Sequence, residues 1–296
     1  MSLAEKLADA RARLVAAGIR PDEAAIDVDL YARTLLEWDH ARLVSERQQP
    51  VPDALEPRFS QWIERRSRRE PSAYILGVRE FWGLDFRVSP DVLIPRPETE
   101  FIVEEALPLL RTLESPRVAD IGTGSGILAV ALAREVAGAS VVATDISAGA
   151  LAVAGQNART HGVDDRIRFV ETSYLEGISG PFDVIVSNPP YVRDRDKQAL
   201  SRDVQHEPDV ALFGGEDGLH HVAGVIDAAV EKLKPGGWFL MEFGYGQEDD
   251  VRALVADRPA LRLDRIRDDL QGIARTAIMQ RQSTPARTNR APGTPT

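Results

Sequence analysis

The stretch Asp183-Val184-Ile185-Val186-Ser187-Asn188-Pro189-Pro190-Tyr191 joins an apolar run to a rigid turn. The run predicts a buried parallel strand, and open α/β sheets place their chemistry at the ends of such strands. Pro189 lacks an N–H group, and the residues that precede each proline are held extended. The turn therefore leaves the Asn188 amide oxygen and backbone carbonyls as acceptors beside the flat ring of Tyr191. This arrangement suits a planar NH2 group, while the alternative is a proline-rich loop of no chemical importance.

Composition limits the classes of protein that the chain can belong to. Of its 296 residues, 43% are hydrophobic, which predicts one large or two modest domains. Acidic residues outnumber basic ones by 46 to 36, and a net charge of −10 argues against a general nucleic-acid binder. The chain has no cysteine, and its five histidines show no metal-ligand spacing, so we expect no disulfide and no metal site.

The chain shows no signal peptide and no membrane span. Its first residues are amphipathic, and no apolar stretch approaches the roughly 18 residues that a span requires. We therefore expect a soluble, cytoplasmic protein, and we separately expect a monomer.

Residues 1–74 are predicted to form a small all-helical domain. Apolar residues at helical spacing predict helices over 3–17 and from Pro21 to about Trp38, then a short third helix and a fourth from Asp53 that ends at Pro71. The fourth carries five arginines: Arg58, Arg65, Arg66, Arg68 and Arg69. They form either a solvated basic face, which is the commoner case, or a docking surface for an acidic partner.

A doubly wound α/β sheet is predicted for the remainder of the chain. Residues 75–94 form a hairpin linker, and strands then alternate with helices over residues 95–282. Seven strands are expected near 117–121, 141–145, 167–171, 183–187, 236–243, 261–267 and 274–280. Because no helical pattern separates the last two, they form a hairpin, and the last strand is antiparallel at or near an edge. Residues 283–296 have no apolar face and are predicted to be disordered.

A glycine loop, Asp120-Ile121-Gly122-Thr123-Gly124-Ser125-Gly126, follows the first of these strands. Glycines let the turn pass tightly and let the backbone approach a ligand at a helix N-terminus. A dinucleotide site has the spacing G-x-G-x-x-G, but here the third glycine comes one residue early. The loop therefore suits a nucleoside without a pyrophosphate. The Asp120 carboxylate also disfavours a nearby phosphate and is suited to face an ammonium group or an ordered water.

Asp145 ends the second strand of the predicted sheet, about 20 residues past the glycines. An acidic residue at this place accepts both hydroxyls of a ribose. The alternative is that Asp145 caps the next helix, but Ser147 is able to do so. A nucleoside with no phosphate clamp fits S-adenosylmethionine. A methyl donor beside an NH2 clamp then indicates methyl transfer to an amide or exocyclic amine nitrogen, catalysed by orientation and electrostatics.

On these residues the chain resembles the release factor glutamine methyltransferases, which modify the glutamine of a Gly-Gly-Gln loop in peptide chain release factors. The resemblance extends to about residue 281 and is most specific in five places. These are Gly77-Val78-Arg79-Glu80-Phe81-Trp82, Leu93-Ile94-Pro95-Arg96-Pro97-Glu98-Thr99-Glu100, the glycine loop, Asn188-Pro189-Pro190-Tyr191-Val192, and His206-Glu207-Pro208 with Ala211-Leu212 and Gly214-Gly215-Glu216-Asp217-Gly218-Leu219.

The resemblance implies that the helical domain recognises the substrate and that a seven-stranded S-adenosylmethionine-dependent methyltransferase domain is the catalyst. It implies cofactor contacts from Asp120, Gly122, Thr123, Gly124, Ser125, Gly126, Asp145, Tyr174 and Asn188. It implies catalytic roles for Asn188, Pro189 and Tyr191, and substrate contacts from these residues and Pro190. One departure concerns the adenine: many relatives have an Asp-Trp pair where this chain has Ser173-Tyr174. Tyr174 is still able to stack on the base, or is only a surface aromatic, and Ser173 offers a weaker hydrogen bond.

Three other functions are compatible with parts of this pattern. Adenine-N6 DNA methyltransferases use a similar clamp, but they are expected to carry a basic DNA-facing surface and a target-recognition region. This chain is acidic, and it leaves little room for such a region between Tyr191 and the fifth strand. A ribosomal protein glutamine methyltransferase shares the clamp and differs in its N-terminal domain. A nucleoside-binding module without activity needs the glycine loop but has no use for the clamp.

Overall fold

The computed structural model describes residues 1–283. They form two compact units, one of Met1–Ile94 with Asp196–Asp209 and the other of Pro95–Arg195 with the chain from Val210 onward. The first unit includes a segment, Asp196–Asp209, that lies far along the chain, a grouping that the order of predicted elements did not indicate. The domain boundaries drawn from the sequence stay a prediction, and the tail predicted to be disordered lies, from residue 284, outside the described residues.

The first unit is the predicted set of N-terminal helices. Its elements are α1 (Leu3–Ala16), α2 (Pro21–Leu36), α3 (His40–Ser45), α4 (Arg58–Ser67), α5 (Ser72–Leu76) and an antiparallel hairpin of β1 (Val78–Phe81) and β2 (Leu84–Arg87). Ser2 and Glu5 form a capping box at the start of α1, and Pro21 occupies the first turn of α2. The buried faces of these helices share one apolar core, which confirms the helical N-terminal region.

Ion pairs within the first unit account for most arginines of the α4 region. The Arg66 side chain is only 2% exposed and bonds Asp27 at 2.7 Å, Asp203 at 2.9 Å and also Glu23. By contrast, Arg68 is 74% exposed and pairs with Glu64 one turn earlier. The interpretation as a solvated basic face therefore fits Arg68, whereas Arg66 is a buried structural group that holds α2, α4 and the segment Asp196–Asp209 together.

The second unit alternates strands and helices as predicted. Its strands are β3 (Arg117–Ile121), β4 (Ser140–Asp145), β5 (Ile167–Glu171), β6 (Phe182–Ser187), β7 (Leu233–Glu242), β8 (Leu261–Asp268) and β9 (Ala274–Arg281). The helices are α6 (Glu100–Leu110), α7 (Ile127–Glu135), α8 (Ala148–Thr160), α9 (Asp209–Leu212, which starts at the last residue of the first unit), α10 (His220–Lys232) and α11 (Glu248–Ala256). The inward faces of α10, α11 and the central strands form a continuous apolar core.

The seven strands form one sheet in the order β5-β4-β3-β6-β7-β9-β8. Strand β9 runs antiparallel to both of its neighbours, β7 and β8, and β8 is the edge strand. This confirms the prediction of a doubly wound sheet with an antiparallel strand near one edge. The strand order reverses at β3, which pairs with both β4 and β6. Ligands bind at such switch points, outside the carboxyl ends of the strands. Within residues 1–283, every helix is too short or too polar to span a lipid bilayer.

Candidate active site

Asn188 lies at the carboxyl end of β6, beside the end of β7. The sheet register pairs Ser187 with Ile121 of β3 and with Met241 of β7, so Asn188 and Glu242 follow at neighbouring positions. The Ser187 hydroxyl donates a hydrogen bond of 2.8 Å to the Ile121 carbonyl, which ties the end of β6 to the start of the glycine loop. The predicted NH2 clamp and the predicted glycine loop therefore lie next to each other at the carboxyl edge of the sheet.

The Asn188 amide has one bonded and one unbonded end. Its Nδ2 donates to the Thr99 hydroxyl oxygen at 3.0 Å. Its Oδ1 is buried and accepts no hydrogen bond from any group in residues 1–283. A buried acceptor without a donor costs free energy, so this oxygen is suited to receive an N–H from a ligand. This is the acceptor that the sequence assigned to the clamp.

Tyr191 is anchored by both its hydroxyl and its backbone. The hydroxyl donates to Glu242 Oε1 at 2.9 Å, and the ring packs against the core of the second unit. Burial and the Glu242 carboxylate raise the pKa of Tyr191 well above its ordinary value, so the phenol stays neutral. The Tyr191 carbonyl accepts from Gln247 Nε2 at 3.1 Å. Tyr191 is therefore a fixed wall of the site.

Gly218, in the last motif of the resemblance, packs directly behind the clamp. Its φ is +77°, and a Cβ at this position would lie 2.4 Å from the Tyr191 carbonyl oxygen. Only glycine allows this close approach in this backbone conformation. The motif therefore packs against the turn that carries Asn188 and Tyr191, a contact that was not predictable from the sequence.

The glycine loop uses much of its own backbone inside the protein. The N–H groups of Gly122 and Thr123 both donate to the Thr144 carbonyl at 2.9 Å, and Gly124 N–H donates to Asp145 Oδ2 at 2.9 Å. These donors are therefore not free to cradle a phosphate in the way that a helix N-terminus does. This supports the sequence-based preference for a nucleoside over a dinucleotide.

The last part of the loop is fastened to α8. Asn157 Nδ2 donates to the Ser125 carbonyl at 2.8 Å, and a Cβ on Gly126 would lie 3.0 Å from the Ala154 Cβ. The small residue at this position allows α7 to begin close against α8, which keeps the loop rigid.

Asp145 closes β4 beside the glycine loop and is not the cap of α8. The Ser147 hydroxyl accepts from Ala150 N–H at 3.1 Å and makes that cap. The Asp145 carboxylate accepts backbone N–H groups from Gly124 and Ser147, each at 2.9 Å, and burial raises its pKa. Each oxygen keeps a second lone pair, as a ribose contact requires. The adjacent Ile146 is 53% exposed, an apolar surface at this edge that the sequence analysis did not single out.

Asp120 is fully buried at the end of β3. Its Oδ2 accepts from the Thr123 hydroxyl at 2.6 Å and from Ala129 N–H at 3.1 Å, while Oδ1 has no partner within residues 1–283. Burial raises the pKa of Asp120 to about 7. An orphaned carboxylate oxygen beside the glycine loop fits a ligand that brings an ammonium group, as S-adenosylmethionine does.

Asp120→Asn is expected to stabilise the ligand-free protein at alkaline pH. Because the folded-state pKa is raised, the folded protein holds the proton more tightly than the unfolded chain, and stability falls as pH rises from about 4 through 7. Asparagine keeps the acceptor for Thr123 and carries no charge. The stability difference between variant and wild type should thus grow from pH 5 to pH 8 in urea unfolding. A difference that is constant with pH would contradict this ionisation.

Tyr174 points its hydroxyl toward α10. Its backbone has a φ of 48° and is held by the Thr144 hydroxyl, which donates to the Tyr174 carbonyl at 2.6 Å. The hydroxyl lies 3.1 Å from His221 Nδ1, and the ring lies so close to Gly224 that a Cβ there would be 2.3 Å from the ring carbon Cζ. The side chain is half-buried rather than a free surface aromatic. Stacking on adenine stays a prediction.

Two residues that the sequence analysis did not assign complete the site. Thr99 and Glu242 are both buried, and the Thr99 hydroxyl donates to Glu242 Oε2 at 2.6 Å. Thr99 lies in one of the quoted motifs, and Glu242 is an acidic residue at the end of an apolar strand, which is an unusual place for a charge. No group of side chains suited to bind a metal ion is found in the part of the chain that the structure describes.

Two solved structures share the fold. A methyltransferase from Pyrococcus furiosus matches with a TM-score of 0.50 and 20% identity over 69% of this chain and 91% of that one. The hMettl16 catalytic domain in complex with a 3′UTR hairpin matches with a TM-score of 0.57 and 17% identity over 72% of this chain and 82% of that one.

Sequence comparison identifies the family. Residues 102–212 match the methyltransferase small domain, and residues 5–77 match the PrmC N-terminal domain. The release factor glutamine methyltransferase of Bradyrhizobium diazoefficiens is 42% identical over 92% of this chain and 94% of its own length. That of Nitratidesulfovibrio vulgaris is 40% identical over 93% and 94%, respectively. The chain belongs to the release factor glutamine methyltransferase family.

Proposed function

We propose that this protein transfers the methyl group of S-adenosylmethionine to the side-chain amide nitrogen of the glutamine in the Gly-Gly-Gln motif of peptide chain release factors. The observation that carries the proposal is the buried, unbonded Oδ1 of Asn188 at the sheet edge that also bears the glycine loop and Asp145. The names of the curated relatives, which align along almost the whole chain, support the choice of substrate.

The chemistry that we propose needs orientation more than it needs acid–base catalysis. The Asn188 Oδ1 and the Pro189 carbonyl accept the two N–H groups of the substrate amide. These bonds raise electron density on a nitrogen whose lone pair is delocalised, and they aim it. S-adenosylmethionine supplies an electrophilic, sulfonium-bound methyl group. Tyr191 packs on the flat amide. The surplus proton leaves the nitrogen last, so no strong base is required.

The cofactor contacts are proposed from the same geometry. Asp145 is placed to accept the ribose hydroxyls, and the unpaired oxygen of Asp120 suits the ammonium group. Within the described part of the chain, a Cβ on Gly122 or Gly124 would meet nothing within 4 Å, so the glycine loop has open space for a nucleoside to approach closely. Its backbone donors are used internally, so it offers no phosphate site. Tyr174 is proposed to border the adenine.

The substrate-recognition unit, the location and the oligomeric state are also part of the proposal. The helical unit, which matches the PrmC N-terminal domain, is proposed to recognise the release factor. The protein is proposed to act as a cytoplasmic monomer that does not bind DNA, in keeping with its net charge of −10.

A direct assay distinguishes the candidate substrates. Purified protein with S-adenosylmethionine should add about one methyl mass to the Gly-Gly-Gln peptide of a purified release factor, as mass spectrometry of the digested product would show. A release factor whose glutamine is replaced by alanine is the control and should gain nothing. Methylation of a ribosomal protein instead would transfer the assignment to the other glutamine methyltransferases, and methylated adenine in DNA would overturn it.

A further inference from the structure

A chain of hydrogen bonds runs from the buried carboxylate of Glu242 to the Asn188 amide. Glu242 is 1% exposed and Thr99 is 0% exposed. The Thr99 hydroxyl donates to Glu242 Oε2 at 2.6 Å, and the same hydroxyl oxygen accepts from Asn188 Nδ2 at 3.0 Å. Tyr191 donates to the other carboxylate oxygen at 2.9 Å. Glu242 is therefore bonded directly to Tyr191 and is linked to the Asn188 amide through the Thr99 hydroxyl.

The direction of these bonds is fixed while Glu242 is ionised. An ionised carboxylate only accepts hydrogen bonds, so the single hydroxyl proton of Thr99 must point at Glu242. The Thr99 oxygen then has only lone pairs to offer to Asn188. The end of the Asn188 amide that faces Thr99 must be the NH2 group, and its oxygen must face the other way.

The orientation of the Asn188 amide has to be determined by its partners because an asparagine amide is nearly symmetric in shape. Oδ1 and Nδ2 can exchange places by a rotation about the last side-chain bond, and the hydrogen-bond network decides between the two orientations. A flipped amide would present NH2 to the NH2 of a substrate, where two donors would meet and no hydrogen bond would form.

We propose that Thr99 and Glu242 are positioning residues that hold the Asn188 amide with Oδ1 toward the substrate, an inference that rests on the proposed role of Asn188 as the amide clamp. Neither residue needs to touch the substrate. The effect of Glu242 reaches Asn188 only through the hydroxyl proton of Thr99.

The charge of Glu242 is set by its surroundings. Burial raises its pKa, and Glu98 adds to that effect. The hydrogen bonds from Thr99 and Tyr191 and the charge of Arg275 act in the opposite direction. If Glu242 gained a proton or became glutamine, it could donate to Thr99, and Thr99 could then donate to Asn188 Oδ1. The orientation of the clamp would no longer be determined.

Isosteric substitutions test the inference. Thr99→Val keeps the shape of the side chain but leaves Asn188 Nδ2 and Glu242 Oε2 without this partner. We expect kcat/KM for a purified release factor to fall about 10- to 100-fold, as for loss of a buried hydrogen bond. Thr99→Ser, which restores the hydroxyl, should stay within about threefold of wild type. The dissociation constant of S-adenosylmethionine, measured by titration calorimetry, should be unchanged in both variants.

Thr276→Val is the matched control. Thr276 lies on β9 opposite Glu242 and is equally buried, but its hydroxyl has no hydrogen-bond partner in residues 1–283. The same chemical change at this position should leave kcat/KM at the wild-type value. An equal loss in Thr99→Val and Thr276→Val would show a general packing effect and would overturn the inference.

A double-mutant cycle separates this inference from the proposed function. If Thr99 acts only through Asn188, then Asn188→Ala with Thr99→Val should be no slower in single turnover than Asn188→Ala alone. The positioning role would be overturned if the losses in rate of the two single variants multiplied in the double variant. It would also be overturned if Thr99→Val reacted at the wild-type rate while Asn188→Ala was slow. Both results would leave the proposed role of Asn188 intact. Wild-type turnover by Asn188→Ala would remove the clamp itself, and the inference with it.

Discussion

Asn188→Ala is expected to lower methyl transfer to a release factor by about 100- to 1,000-fold, the range found when one preorganised polar contact to a reacting group is removed. The substitution removes Oδ1, the unbonded acceptor at the end of β6. The substrate amide would keep only the Pro189 carbonyl as a partner, and its nitrogen would no longer be aimed at the methyl group.

Cofactor binding should survive this change. The glycine loop and Asp145 lie on β3 and β4, and their internal hydrogen bonds do not include Asn188. We expect the dissociation constant of S-adenosylmethionine to change by no more than about threefold, the scale of a weak contact. Single-turnover transfer of a labelled methyl group measures the rate, and calorimetry measures binding. Near-normal turnover would exclude the clamp mechanism, whereas lost cofactor binding would show that Asn188 belongs chiefly to the cofactor site.

Arg66→Ala is expected to destabilise the helical unit by about 3–5 kcal/mol, the usual cost of removing one partner from a buried ion pair. The Arg66 guanidinium bonds Asp27, whose side chain is 8% exposed, and also Glu23 and Asp203. Without it, Asp27 would remain buried as an anion with no cation beside it. A cavity would add to the loss, because Arg66 is among the largest fully buried side chains.

Urea unfolding followed by tryptophan fluorescence suits this test. Three of the four tryptophans, Trp38, Trp62 and Trp82, lie in the first unit. Arg68→Ala is the matched control on the same helix, because Arg68 is 74% exposed and its pair with Glu64 should contribute at most about 1 kcal/mol. If both variants unfolded at the same urea concentration, the structural role assigned to Arg66 would be wrong.

The elements of the catalytic fold were predictable from local patterns. Buried parallel strands are continuous apolar runs, and all seven predicted segments are strands within a few residues of the predicted ends. The antiparallel β9 was also predictable, because too little chain separates it from β8 for a helical crossover. Strand order and register were not visible in the runs, and the grouping of Asp196–Asp209 with the helical unit depends on contacts such as that between Arg66 and Asp203, 137 residues apart.

The sequence by itself determined which residues at the sheet edge are proposed to carry the chemistry: Asn188 in its proline-locked turn, the glycine loop, and Asp145 at a strand end. Each of these groups can be recognised from the sequence because its chemistry depends on its immediate neighbours in the chain. Only the tertiary structure decided how these groups are oriented. The Asn188 amide is turned by Thr99, 89 positions away, and Thr99 by Glu242, 143 positions away. Such contacts arise from register and packing between elements that are distant in the chain. The buried carboxylate of Glu242 then determines the direction of the hydrogen bonds, and that direction determines the orientation of the Asn188 amide.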